Sequence, residues 1–244
     1  MKNGQILQIS SSSELVGLFD HAILQPTMTD AQMLLQLRSL RQFPLASVCL
    51  KPYAVRMGVD ALQETAITVG TVIGFPHGSS LPEIKAAEAE TAFRDGARDV
   101  DMVVNVGKVL SNDWEYVYSD IESVLTVARR HGGTIKVIFE TDYLTQDEDK
   151  IRLCEICSDL KVDYVKTSTG FGFVKYGDSY GYRGATEHDV ALMRRYSSTN
   201  VGVKPSGGVR TLKQVLRLIE LGATRIGTAS TESIYEEALQ KYGR

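Results

Sequence analysis

Short apolar, β-branched runs recur along the chain at residues 47–51, 68–75, 99–105, 135–141, 162–169, 200–207 and 224–228. Most lack alternation of polar and apolar positions, the pattern of parallel strands covered on both faces. Between them lie stretches of helical period, such as 82–96. There Ser80 and Glu83 have capping-box spacing, Pro82 suits the first turn and Gly96 suits the C-terminal stop. Two more capping-box spacings, Ser11 with Glu14 and Thr29 with Gln32, bracket residues 16–21, which supply an eighth strand. Eight alternating units in a chain near ~250 residues predict an α/β fold, a (β/α)8 TIM barrel. The barrel is expected to form one domain over residues 1–244 with a short N-terminal helical extension; a doubly wound open sheet is the alternative. Residues 171–185, rich in Gly and Tyr, read as a long mobile loop after the sixth strand.

Composition narrows the function classes. With 43% hydrophobic and 23% charged residues the chain is too apolar for disorder and too interrupted by charge to span a bilayer. A net charge of −3, with Lys and Arg scattered, argues against nucleic acid as a partner. Three cysteines make a disulfide framework unexpected and favour a reducing compartment. Residues 1–19 show no basic start followed by an apolar run and a cleavage site. The expectation is a cytoplasmic protein with a small-molecule substrate and neither a nucleic-acid nor a membrane partner; a homodimer paired through helices is expected.

In a barrel, charge at the C-terminal ends of strands points to the active-site face. Asp101, Lys166 and Lys204 stand at such ends. An arbitrary lysine is a solvated side chain, but one inside a β-branched run flanked by Thr, Ser and Gly has no exposed helix face to occupy, and burying it without a role is costly. Lys166 and Lys204 fall on neighbouring strands. Two ammonium groups ~6 Å apart at an effective dielectric of ~20 repel by roughly 3 kcal/mol, or about two pKa units. One lysine then persists as a neutral amine able to form a Schiff base, while the other, with Asp101, relays protons. This constellation suggests carbon–carbon bond chemistry through an enamine. Glycine turns at 206–208 and 227–230 offer backbone N–H groups to a phosphate, which singles out Gly207, Gly208, Gly227 and Ser230. No metal is expected, since His21, His77, His131 and His188 show no paired spacing, and Cys154 and Cys157 read as helix packing.

The motifs at 20–24 (DHAIL), 71–76 (TVIGFP), 101–107 (DMVVNVG), 136–141 (KVIFET), 165–171 (VKTSTGF), 202–211 (GVKPSGGVRT) and 225–228 (RIGT) cover nearly the whole chain. In this order they resemble the class I deoxyribose-phosphate aldolases. The resemblance implies reversible cleavage of 2-deoxy-D-ribose 5-phosphate to acetaldehyde and D-glyceraldehyde 3-phosphate, with no cofactor. It implies Lys166 as the Schiff-base former, Lys204 as the group lowering its pKa and Asp101 in proton transfer. Asp20 and Lys136 would join the network around the substrate hydroxyls, Cys49 would line the pocket, and Thr169 and Gly170 would touch substrate. The chain departs from the family at Ala229 and Thr231, where GTAST replaces the usual GTSSG, at Ala22 and Pro205, and in the longer 171–185 loop. Lys175 and Arg183 on that loop either replace phosphate contacts or are ordinary solvated charges, and Tyr176, Tyr180 and Tyr182 either cover a ligand or a partner or pack the loop on itself. Glu140 either orients Lys136 or neutralises lysine charge. The alternatives are the same imine chemistry on an unphosphorylated deoxysugar or another aldose phosphate, and a non-catalytic sugar-phosphate-binding barrel.

Overall fold

The computed structural model describes residues 7–243, so the first residues of the leader reading, and the side chain of Tyr176, lie outside what is described. Eight parallel strands form one sheet: β1 (Phe19–Ile23), β2 (Ser47–Leu50), β3 (Thr68–Ile73), β4 (Asp99–Val103), β5 (Thr134–Ile138), β6 (Tyr164–Lys166), β9 (Gly202–Lys204) and β10 (Ile226–Thr228). Between β6 and β9 the chain adds an antiparallel hairpin, β7 (Val174–Tyr176) with β8 (Ser179–Gly181). Each strand pairs with its neighbours in the parallel sheet, β10 beside β1 and β6 beside β9. The seam between β9 and β10 is bridged by Thr224 N–H to Val203 O and Gly227 N–H to Pro205 O, both 2.9 Å. The ring of strands is the TIM barrel expected from eight alternating units.

Local signals hold in part. Thr29 and Gln32 make the full reciprocal capping box of helix Asp30–Leu40. Ser11 caps helix Ser12–Val16 by accepting the Glu14 N–H, but the Glu14 carboxylate turns back to Ser10. The Ser80–Glu83 expectation is corrected: Leu81 occupies the N-cap of helix Pro82–Arg94 without a side-chain bond, because Pro82, with its fixed φ and no N–H, already takes the first helical position. The first strand begins at Phe19 rather than Val16, since Val16 closes the preceding helix. The 171–185 segment is not an unstructured loop; its period-two Val174 to Tyr176 run pairs with Ser179 to Gly181 across a two-residue turn.

The outward residues of the strands, among them Val48, Val100, Met102, Ile135, Val137, Val165 and Val203, pack against the helices in one continuous core. Cys154 and Cys157 belong to the same core from helix Asp147–Leu160, as expected for helix packing. Beneath it a buried ion pair braces the strand that carries Asp101. Lys85 Nζ donates to Asp120 Oδ2 at 2.6 Å and to the Val103 carbonyl at 2.9 Å, both side chains fully buried. Burial pushes each group towards its neutral form and the pairing opposes it. Removing Asp120 leaves the buried Lys85 ammonium without its ion-pair partner, so Asp120→Ala should lower unfolding stability in denaturant by about 3–5 kcal/mol. A loss below ~1 kcal/mol would show the pair to be dispensable. Among the described residues no helix is long and apolar enough to cross a membrane.

Candidate active site

Strand alternation builds the site. On β4, Val100 and Met102 point to the helices, which turns Asp99 and Asp101 into the barrel. The same alternation turns Lys136 inward between Ile135 and Val137, Lys166 after Val165, and Lys204 after Val203. Register then places Asp101 beside Lys136, and Lys166 beside Lys204 on adjacent strands.

Asp101 Oδ2 accepts from Lys166 Nζ at 2.8 Å and from Lys204 Nζ at 2.7 Å. One oxygen shared by two amines brings their nitrogens within two hydrogen-bond lengths of each other. Lys204 Nζ also donates to Asp20 Oδ2 at 2.5 Å. Lys136 Nζ lies 2.8 Å from Asp99, 3.2 Å from Asp101 and 3.3 Å from Asp20. Arg225 brings Nε to Asp20 Oδ1 at 2.7 Å and Nη2 to Asp99 Oδ2 at 3.4 Å, and the Ser47 hydroxyl donates to Asp20 Oδ1 at 2.6 Å. Asp20, Asp101, Lys136 and Lys204 are 1 % exposed and Lys166 is 4 % exposed, so water does little to screen them.

Four cationic side chains, Lys136, Lys166, Lys204 and Arg225, therefore face three carboxylates, Asp20, Asp99 and Asp101. A fully ionised set leaves one buried cation uncompensated, which is costly. The deficit falls on Lys166, which touches one carboxylate while each of the others touches at least two. Burial pushes the Lys166 amine down, Asp101 pulls it back and Lys204 lowers it further. Lys204 goes the other way: burial disfavours its charge, but Asp101 and Asp20 hold it above the ordinary lysine range. Lys136 is likewise held well up by Asp101, Asp20 and Asp99 against its burial. Asp101, despite burial, is held far below the usual carboxylate range by Lys136, Lys166 and Lys204. The arrangement thus supplies one amine whose neutral form is favoured beside an ammonium and a carboxylate whose charged forms are favoured.

Cys49 is buried near this cluster, its thiol pushed up to about 12 by burial and then by Asp101, which makes it an apolar wall rather than a nucleophile. Gly170, Gly207 and Gly208 all take positive φ. A Cβ on Gly170 would lie 3.7 Å from Gly207 Cα, so the turns after β6 and β9 meet. Their N–H groups donate to no other described residue, leaving three donors for an anion. Gly227 lets the last strand approach: a Cβ there would fall 2.7 Å from Ser206 Cβ and 3.3 Å from Lys204 Cε. Ser230 turns its own N–H to Thr228 Oγ1 at 2.9 Å.

On the hairpin, the Phe173 ring stacks on Tyr180 at 4.8 Å and Arg210 donates to the Tyr182 hydroxyl at 3.4 Å, so these tyrosines pack the hairpin on itself and on the rim. Arg183 Nε lies 4.0 Å from Asp142, and Lys175 is exposed. Glu140 does not orient Lys136, whose three carboxylate contacts lie elsewhere; it accepts the Thr169 N–H and hydroxyl. Sequence reasoning passed over Asp99, Arg225 and Ser47. Asp99 stands two residues before Asp101, hence on the same face of β4, and that spacing was the signal available. Among the described residues no group of three or more His, Cys, Asp or Glu is arranged to hold a metal ion.

A parallel eight-stranded barrel whose interior gathers lysines and carboxylates around one undercompensated amine defines an aldolase-type barrel enzyme. The chain belongs to the DeoC/LacD aldolase family, whose model, described as DeoC/LacD family aldolase, matches residues 16–236. A deoxyribose-phosphate aldolase of Rhodopirellula baltica is 45% identical over 226 residues, covering 93% of this chain and 90% of that one. One of Thermococcus gammatolerans is 41% identical, covering 92% and 96%. Among solved structures, a putative deoxyribose-phosphate aldolase from Coccidioides immitis superposes with a TM-score of 0.85 at 31% identity, covering 93% of this chain and 86% of that one. Deoxyribose phosphate aldolase from Aeropyrum pernix, described as a unique tetramer, gives 0.83 at 26%, covering 94% and 92%.

Proposed function

We propose that the protein cleaves 2-deoxy-D-ribose 5-phosphate reversibly to acetaldehyde and D-glyceraldehyde 3-phosphate through an imine on Lys166. The observation that carries this is the single Asp101 oxygen shared by Lys166 and Lys204 in a buried site with one cation in excess. The neutral Lys166 amine adds to the C1 aldehyde, and loss of water gives a protonated imine. As the C3 hydroxyl gives up its proton, the C2–C3 bond breaks and its electron pair passes into an enamine on the Lys166 nitrogen; glyceraldehyde 3-phosphate departs. Protonation of the enamine carbon and hydrolysis of the imine release acetaldehyde. Lys204, cationic in the resting site, gives up a proton and regains it as the reaction proceeds, and Asp101, in contact with both amines, passes protons between them.

The substrate's hydroxyls meet the Asp20–Lys136 network with Cys49 alongside, Thr169 lies at the sugar, and the phosphate rests on the N–H groups of Gly170, Gly207 and Gly208, with Gly227 and Ser230 on the facing turn. Close homology to curated deoxyribose-phosphate aldolases supports the substrate. The three free, buried cysteines fit a cytoplasmic protein. The exposed apolar Leu81 and Ile84 at the start of helix Pro82–Arg94 fit a homodimer paired through helices.

Acetaldehyde followed by borohydride is expected to leave a reduced two-carbon adduct on Lys166, read by peptide mass mapping. No adduct, or one on Lys204 or Lys136, contradicts the assignment.

A further inference from the structure

The turn that follows β5 holds the rim of the site from below. Glu140 takes a left-handed backbone (φ 58°), uncommon for a residue with a side chain, and is buried. Its carboxylate accepts the Thr169 N–H at 3.3 Å on each oxygen and the Thr169 hydroxyl on Oε2. Thr169 Oγ1 in turn accepts the Phe171 N–H at 2.9 Å, which closes the 169–171 turn around Gly170. Two residues on, Asp142 accepts the N–H groups of Arg183 at 2.6 Å and Gly184 at 3.1 Å, and the Tyr143 hydroxyl accepts the Phe173 N–H at 3.0 Å. Both feet of the hairpin are therefore tied to residues 140–143. The returning foot lies on the second glycine turn: Ala185 N–H donates to Gly207 O at 3.0 Å, and a Cβ on Gly184 would come 2.1 Å from that oxygen. Glu140 thus fixes Gly170 from one side while Asp142, through Gly184, fixes Gly207 from the other.

We propose that Glu140 is a positioning residue for the phosphate end of the substrate, acting through Thr169 to hold the Gly170 N–H in line with those of Gly207 and Gly208. The inference rests on the reading of these glycine turns as the phosphate cradle. Glu140 makes no hydrogen bond or ion pair with the three lysines or with Asp101, so its loss should bear on binding, and loss of its charge near Lys166 eases deprotonation of that amine rather than hindering imine formation. The charged groups facing it are Asp142 on its own segment and Lys166 on β6. Burial raises the Glu140 carboxyl to about 7, against the pull of the Thr169 hydrogen bonds. The anion accepts both Thr169 donors; the protonated form gives up part of that grip. The KM for phosphorylated sugar should therefore rise as pH falls through about 7, beyond what the substrate's own titration produces.

The test compares kcat and KM for deoxyribose 5-phosphate and unphosphorylated deoxyribose in the wild type and in Glu140→Gln across that pH range. Glutamine presents an N–H2 to the Thr169 donors, so KM for the phosphorylated sugar should rise about fivefold above neutrality, the effect of losing one hydrogen bond. The kcat should not fall, the KM for unphosphorylated sugar and the acetaldehyde adduct on Lys166 should stay unchanged, and the Glu140-dependent part of the KM profile should vanish. Unchanged KM for both sugars, an equal rise for both, or a fall confined to kcat overturns the proposal. A wild type that takes both sugars equally while still forming the adduct overturns the phosphate cradle itself, and this role with it. Should Glu140→Gln fail to fold, Glu140→Asp, which keeps the charge but draws the carboxylate back from Thr169, carries the same expectation: a rise in KM for the phosphorylated sugar alone supports the role, and its absence refutes it.

Discussion

Lys166→Leu should abolish aldol cleavage, lowering kcat/KM on the order of 10⁴-fold or more, the scale at which loss of a covalent nucleophile is felt. The same substitution should leave the fold intact. Lys166 is the cation in excess, and without it Lys136, Lys204 and Arg225 face Asp20, Asp99 and Asp101 in balance. Asp101 keeps both Lys136 and Lys204, so no buried carboxylate is orphaned. Unfolding in denaturant should accordingly show a midpoint equal to or above that of the wild type. Lys166→Arg is the counterpart: a guanidinium cannot shed its proton, so the excess charge becomes permanent, and both activity and stability should fall. A Lys166→Leu protein that retains turnover places the nucleophile elsewhere. One that is severely destabilised means that the Lys166 ammonium, not the free amine, belongs to the charge balance.

The second large effect is expected from Lys204→Leu, and its sign follows from two changes that act together. Removal of the Lys204 charge takes away a repulsion of about 3 kcal/mol at ~5 Å and an effective dielectric of ~20, equivalent to about two pKa units. It also leaves Asp101 Oδ2 to Lys166 alone among these two amines. Both changes raise the Lys166 pKa, so the neutral fraction falls, by up to about 100-fold at pH values well below that pKa. The acid limb of the kcat/KM profile should move to higher pH by about two units, with residual activity recovering as the solution is made alkaline. The measurement is the full profile of residual activity, not its value at one pH. Loss of activity with an unmoved limb would reduce Lys204 to a proton donor or a packing group.

Most of this site was legible in the sequence because the barrel converts strand position into place. Lys166 and Lys204 lie at the ends of short β-branched runs, and neighbouring strands in a parallel barrel bring such ends together, as the observed register does. Asp20 and Lys136 followed from family motifs and join the same network. What failed to show was contact that no periodicity encodes. Asp99 and Arg225 complete the charge balance from the far end of the barrel interior, and a scan for residues at strand C-termini passes over them. Of the two roles open to Glu140, orienting Lys136 fails and facing lysine charge fits its approach to Lys166; its hydrogen bonds go to Thr169 because a left-handed backbone swings the carboxyl there, and no local pattern signals that turn. The hairpin reads as loop in the sequence because its strands are three residues long, below the length at which alternation carries force. At Ser80 the rule of spacing lost to proline, which fixes a helix start one residue away from where the capping pair would set it.

Lys166 gives up its proton more readily than an ordinary lysine because its charge is the one its buried surroundings do not balance. The most direct test is to titrate the lysine side chains by nitrogen-15 NMR in uniformly labelled protein, assigning the Lys166 resonance by its absence from Lys166→Leu. The Lys166 nitrogen is expected to lose its proton below the ordinary lysine value of about 10.4, with Lys204 and Lys136 losing theirs only above it. A Lys166 that titrates at or above that value, beside a Lys204 that loses its proton first, would contradict that expectation.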